Sequence, residues 1–598
     1  MKIGLIGINR YAKFLNFACD LHVYAFQEYL VQNGHDVTIL DYKPAYFYDF
    51  DMKHPADYAE SKYRDAILRK ASTPAQVAAR AKDLEKWAEL AVGYRSAYVE
   101  RERRYDKFEA FIDKHLSFTA EVYDSDLLEI EDPGFDTYIC VTDVIWQAIP
   151  RHTFDRGFLL GSKAFEGKQK ISYAASRGAS KDFSKDEAEV FFDYLEDIDA
   201  ISVREADFGA YIEKNSPYAA PTVIDPVLLH GKEFWQAVST KPKLERFVLL
   251  YYVMEEAADT IRKAVEYAKE HDLTLVELSD RPLKHGRVSD PDVKHIARYD
   301  VGMEEWLGYI EHAEAVFTNS FHGCCFAVLF EKPFFVGKRN GQKVPNFLAT
   351  FDLSDRQFAR DADVRTFSHD IDYAKVRGIL EERRAQSGGF ILDALTAAQQ
   401  RIDAGETKDV AKFEQKRRSL RYPVRFHSGY TGKTASLAGD QPKSLESKRL
   451  KAGALEYVDP SVRYVNDGTA RIGENRFAIP GFQFAGWTMR FRIDNRWFWY
   501  LSDGTIAPGD IKGTDLDARK AVFADGATVP HLPVNNISSM VFIARWESGG
   551  ELVSTPSTPA AEAPRAAAKP ASARAAAAKP SLLRRVIRKA KRLLRRAS

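Results

Sequence analysis

The amino-acid sequence predicts two doubly wound α/β domains, then a small all-β module and a terminal amphipathic helix. Three observations carry this. Apolar runs of strand length alternate with helical stretches through residues 1–403. Within that span, residues 314–339 (EAVFTNSFHGCCFAVLFEKPFFVGKR) read as strand, polar corner, apolar helix, strand, which is a βαβ unit. From residue 443 the pattern changes to short alternating runs such as RWFWYLSDG, bounded by turn residues.

The elements follow in order. MKIGLIGI is a first strand, ACDLHVYAFQEYLVQNGH a helix closed by Gly34, and DVTILDY a second strand. Residues 55–118 read as a charged helical insertion, with an N-cap at Ser72 or Thr73 before Pro74 and a solvated face at ERERRYDK. FDTYICVTD, QKISYAAS and AISVRE are further strands, with a helix near 184–197. The first domain spans 1–229 and the second 230–403, where FVLLYYV and LTLVELS are strands. Residues 404–442 read as a linker, 443–549 as the β module, 550–580 as an Ala/Pro-rich tether and 581–598 as a basic amphipathic helix. Trp487, Trp497, Trp499 and Tyr500 of the module read first as core, and second as a platform for sugar rings.

Composition narrows the function. The last eighteen residues hold eight Lys/Arg and no acid, leaving 78 basic against 85 acidic side chains elsewhere. A body with that balance is not built to hold nucleic acid non-specifically. The tail sets Leu582, Leu583, Val586, Ile587, Leu593 and Leu594 on one face of a helix, which suits an anionic membrane surface. Cys19, Cys140, Cys324 and Cys325 lack CxxC spacing and read as buried thiols; no metal-ligand spacing is found. No run of apolar residues reaches membrane-spanning length.

His322 falls at a strand's carboxyl end where a helix begins, and Lys338 and Arg339 leave the neighbouring strand on the same edge. An imidazole, a helix N-terminus and two cations at one spot suit a small phosphorylated acid. Asn16, after the first strand, either hydrogen-bonds a ligand or caps the helix.

Several motifs resemble the polysaccharide pyruvyl transferase family, in order and over about the first 400 residues: NFACDLHVYAFQ (Asn16, Leu21, Tyr24, Ala25, Gln27), VTDVIW (Asp143, Trp146), KISYAAS, ISVRE, VIDPVLL and TNSFHG. The resemblance implies two Rossmann-like domains in a GT-B-like arrangement, with phosphoenolpyruvate as co-substrate and no cofactor. The activity it implies is formation of a pyruvate ketal on two hydroxyls of a glycan or lipid-linked glycan, with release of phosphate. Under it, His322 is the acid or holds the phosphate, and Asp143 is a base for the acceptor hydroxyl, with Asp225 a second choice. Arg204, Ser320, Lys338 and Arg339 meet the donor; Asn16, Trp146 and Asp225 are acceptor or loop contacts. Ser320 stands where other branches of the family have Arg, so Lys338 or Arg339 takes over that cation's part. With the basic tail, the expected location is cytoplasmic, peripheral on the inner membrane face. The competing readings are a GT-B glycosyltransferase using a nucleotide sugar, and a non-catalytic glycan-binding protein.

Overall fold

The computed structural model describes residues 1–553 except 9, 12–14, 45–49, 70, 126, 130, 149–153, 179–181, 254–257, 283–287, 289, 339–340, 410–421, 431–433, 440, 442–444, 451–452, 465–470, 494–495, 510, 512–513, 531, 533–536 and 549–550. Arg339, the tether from 554 onward and the C-terminal basic helix therefore lie outside the described residues.

The chain opens with β1 (Lys2–Gly7), α1 (Phe17–Gln32) and β2 (Asp36–Tyr42). Gly34 turns between α1 and β2 at φ +85°, a conformation that costs glycine little. The insertion forms α2 (Ala56–Leu68), α3 (Pro74–Ser96) and α4 (Tyr98–His115). Thr73 and Gln76 close a reciprocal capping box on α3, with Pro74 in its first turn. There follow β3 (Phe118–Tyr123), β4 (Thr137–Asp143), β5 (Gln169–Ala175), α5 (Lys185–Leu195), β6 (Ala200–Val203) and α6 (Ala206–Asn215). The first sheet runs β3-β2-β1-β4-β5-β6, and every described pairing in it is parallel. Its strand order reverses between β1 and β4, which opens a crevice at their carboxyl ends.

After α7 (Lys232–Gln236) the second sheet is built from β7 (Phe247–Tyr252), α8 (Ala258–Glu270), β8 (Thr274–Ser279), β9 (His295–Arg298), α9 (Met303–His312), β10 (Ala315–Thr318), α10 (Phe321–Leu329) and β11 (Phe334–Val336). Its order is β11-β10-β7-β8-β9, again parallel, with the reversal between β7 and β10. Two Rossmann-like sheets thus carry the chain to α11 (Lys343–Thr350). The long α12 (Tyr373–Asp403) then returns to the first sheet's domain: Ser387 Oγ accepts from Ile224 N at 3.0 Å, and Arg401 Nε donates to Gln169 Oε1 at 2.7 Å.

Two sequence readings are corrected. ERERRYDK is not uniformly solvated, for Arg101 and Arg104 of α4 are 1% and 0% exposed. Arg104 donates to the carbonyls of Leu15, Ser279 and Tyr299 and lies 4.2 Å over Phe17, which ties the insertion to both domains. Two turns of helix with two inward arginines look, in sequence, like any salt-bridged surface, since only the packing partner decides which face is inside. The strand Tyr422–His427 lies in the segment read as linker, so the module's sheet begins upstream of 443. That strand also pairs parallel to Ile537–Ser548, whereas the other described pairings of the sheet are antiparallel. Sequence alternation does not encode which distant strands meet. Trp487 is fully buried in the module's core, with Nε1 donating to Asp525 at 2.8 Å.

Among the described residues no helix is long and apolar enough to cross a membrane, and no group of three His, Cys, Asp or Glu is arranged to hold a metal. All four cysteines are buried and unpaired.

Candidate active site

The carboxyl edges of the two sheets meet at one cluster. β4 delivers Asp143, β6 delivers Arg204 and Glu205, and the turn after them delivers Asp225 as cap of a short 3-10 helix, Pro226–Leu229. From the second sheet, β10 ends in Asn319–Ser320, and α10 presents His322 in its first turn.

Asp225 is the hinge of the cluster. It is 1% exposed, and its Oδ2 lies 2.7 Å from Arg204 Nη1, 3.3 Å from His322 Nε2 and 3.3 Å from Thr142 Oγ1. Residues 97 positions apart therefore touch across the two domains. Arg204 is engaged on three sides, by Asp225, by Asp143 Oδ1 at 3.0 Å and by Glu205 Oε1 at 3.1 Å, and its guanidinium lies 4.7 Å over the Phe321 ring. Lys343 Nζ reaches Asp143 Oδ1 at 3.2 Å.

Burial would raise both carboxyls, but neighbouring charge outweighs it. His322 and Arg204 hold Asp225 well below the usual carboxylate range, and Lys343 and Arg204 do the same for Asp143. Burial, aided by the charge on Arg204, lowers the Lys343 ammonium below its ordinary value. Both aspartates are thus fixed anions near neutral pH, which makes them weak bases and strong anchors for cations.

Local backbone holds this arrangement. Thr142 and Asp143 have φ of 44° and 57°, costly for residues with a Cβ, and Asp143 O accepts from Ser176 N at 2.9 Å to pin the turn. Gly323, after His322, lets α10 press onto its own strand: a Cβ there would sit 2.5 Å from Thr318 Oγ1. The cluster opens into a cavity of about 210 Å³ lined by Arg204, Asp225, Phe321, Lys343, Asn346 and Thr350, among others.

The residues singled out from sequence divide as follows. His322, Asp143, Arg204 and Asp225 converge. Ser320 Oγ accepts from Gly323 N at 3.3 Å as cap of α10, and Asn16 Oδ1 accepts from Ala18 N at 3.1 Å as cap of α1. Trp146 is 0% exposed and donates to Phe158 O at 3.1 Å, so its ring packs within the fold. Lys338 is exposed and takes no part in the cluster, and Arg339 lies outside the described residues.

Two residues escaped sequence reasoning. Lys343 was hidden because α11 went unrecognised; Pro345 early in that helix was the available signal. His22, on α1, sits inside a run read only for its apolar face. It is fully buried, its Nε2 donates to Ile8 O at 2.9 Å, and its ring centroid lies 6.1 Å from that of His322.

A model of the polysaccharide pyruvyl transferase family matches residues 19–336, a span that includes His322, Asp143, Arg204 and Asp225. The chain belongs to the polysaccharide pyruvyl transferase family. Lys343 and α12 lie beyond the matched span. No curated protein matches the chain. Similar solved structures include UDP-GlcNAc 2-epimerase from Methanocaldococcus jannaschii (12% identity, 66% of this chain and 100% of that one, TM-score 0.33). UDP-N-acetylglucosamine 2-epimerase from Rickettsia bellii gives 10% identity, 67% and 98% coverage and a TM-score of 0.35. MurG from Acinetobacter baumannii gives 7%, 66%, 99% and 0.30. At such scores these likenesses carry no argument; the fold statement rests on the two parallel sheets and their strand orders.

Proposed function

We propose that this pyruvyl transferase family member takes phosphoenolpyruvate as donor and sets its three-carbon unit as a ketal across two hydroxyls of a glycan. The observation that supports this best is His322 held by Asp225, an aspartate that lines, together with Lys343, the cavity beside the cluster. In the reaction, protonated His322 gives its proton to the methylene carbon of the donor. The second carbon becomes oxocarbenium-like. One sugar hydroxyl adds to it and the other displaces the phosphate, forming two C–O bonds as one breaks. Of the two hydroxyl protons, one restores His322 and the other leaves with phosphate.

Arg204 already serves three carboxylates, so we assign it to positioning: it fixes Asp143 and Asp225, which in turn orient Lys343 and His322. Lys343 then meets the donor's anionic groups, the part first given to Lys338 and Arg339. Asp143, a carboxylate held ionised by two cations, acts through charge and orientation rather than as a base. The placement of the basic tail on an anionic membrane surface remains a proposal resting on its sequence.

The test is phosphate release from phosphoenolpyruvate by the full chain with glycan acceptors, read together with acid-labile pyruvate on the product. His322→Ala is expected to lower turnover by ~10²-fold or more. Lys343→Met is expected to weaken donor binding roughly tenfold. Stabilisation by nucleoside diphosphates and none by phosphoenolpyruvate would instead favour a nucleotide-sugar transferase.

A further inference from the structure

The cavity beside the cluster has a third cation that the proposed chemistry does not use. Arg383, on α12, lines it together with Asn346, Thr350 and Thr222. Arg204 and Lys343 are each ion-paired within the cluster. Arg383 is different: its described partner is Gln386 Oε1, a neutral atom on its own helix at 3.4 Å, and among the described residues no carboxylate pairs with it. Its neighbour Arg384 is spent on structure, donating to Leu228 O at 2.6 Å and also to the His230 carbonyl. A guanidinium without a counter-charge, in the wall of a cavity that also offers an amide and hydroxyls, matches a planar or tetrahedral oxyanion carried on a polar body.

We infer that this cavity is the acceptor subsite and that it selects a sugar bearing an anionic group, a carboxylate or a phosphate, which Arg383 binds. The inference rests on the transferase reading for the word acceptor, but not for the binding itself. Phe321, Phe347 and Phe351 supply the apolar surface against which a sugar ring packs, and Asn346 and Thr350 supply hydrogen bonds to its hydroxyls. Lys343 lines the same cavity as Arg383, so the donor's anionic groups take the Lys343 wall and the acceptor's charge takes the Arg383 wall of one shared space.

The experiment is titration calorimetry of the full chain with three probes: methyl glucoside, methyl glucuronide and methyl glucoside 6-phosphate. At least one charged probe is expected to bind roughly tenfold or more tightly than the neutral one. Arg383→Gln should abolish that difference, while Arg383→Lys keeps part of it. The glucuronide and the phosphate arms show which oxyanion is preferred. Equal binding of all three probes, no binding of a charged probe up to its solubility limit, or a difference that survives in Arg383→Gln would each overturn the inference. Phosphoenolpyruvate titrated into the same proteins separates the two claims. Unchanged affinity in Arg383→Gln supports the division of walls, and its loss there would assign Arg383 to the donor and overturn the inference. Charged sugars that bind through Arg383 in a protein that ignores phosphoenolpyruvate would sustain the subsite and sink the donor reading.

Discussion

His22 is a buried imidazole whose Nε2 donates to the Ile8 carbonyl, leaving Nδ1 without a hydrogen-bond partner. Burial lowers it from 6.5 to about 4. Between those values the unfolded chain binds a proton that the native state does not. The stability this group contributes is therefore complete above pH 6.5 and is lost as pH falls toward 4, by up to ~3 kcal/mol. Asp20, raised to about 7 by burial, acts with the opposite sign: its contribution is complete below 3.8 and is lost as pH rises toward 7. Comparing variant with parent cancels the Asp20 effect. His22→Gln is expected to flatten the fall in urea midpoint between pH 6.5 and 4.5, and a parallel fall in both proteins would refute the assignment.

At the scale of elements, α4 is a strap. Arg104 is buried, and among the described residues no carboxylate pairs with it; burial brings it down to about 10, and three carbonyls from two domains accept hydrogen bonds from its guanidinium. Lys107 adds an ion pair to Glu305 at 2.6 Å. Arg104→Met would strand those carbonyls in a dry interior, at a cost on the order of 3 kcal/mol. Arg103, one residue earlier and exposed, is the control: Arg103→Met should change stability by no more than ~0.5 kcal/mol. Thermal melts of both variants check this, and equal shifts would mean the strap contributes nothing. The strap was illegible in the sequence because ERERRYDK has the periodicity of an exposed helix, and its partners Ser279 and Tyr299 lie some 175 and 195 residues away.

On the scale of the whole molecule, the module's core, from Val424 to Trp546, shares no residue, among the described ones, with the cores of the two α/β sheets. The cluster at Asp143, Arg204, Asp225, His322 and Lys343 lies wholly before it. A chain ending at residue 409 is therefore expected to retain phosphoenolpyruvate binding and to lose one calorimetric transition. Loss of every transition would show that the module and the sheets are a single cooperative unit.

The sequence alone determined most strands of the two sheets, the start of the helix at Pro74 and the place of His322 at a strand's end, because these depend on neighbours within a turn or two. Alternation of apolar runs was enough to predict two parallel sheets, and Ser72 or Thr73 before Pro74 announced its helix by capping chemistry. Tertiary structure decided what each charge does. Arg204 became an anchor because three carboxylates, two of them distant in sequence, close around it, and Lys343 rather than Lys338 joins the cluster because α11 brings it to Asp143. Coulomb energy and desolvation depend on distance in space, and a linear pattern carries no record of which remote side chains folding brings within 3 or 4 Å of one another.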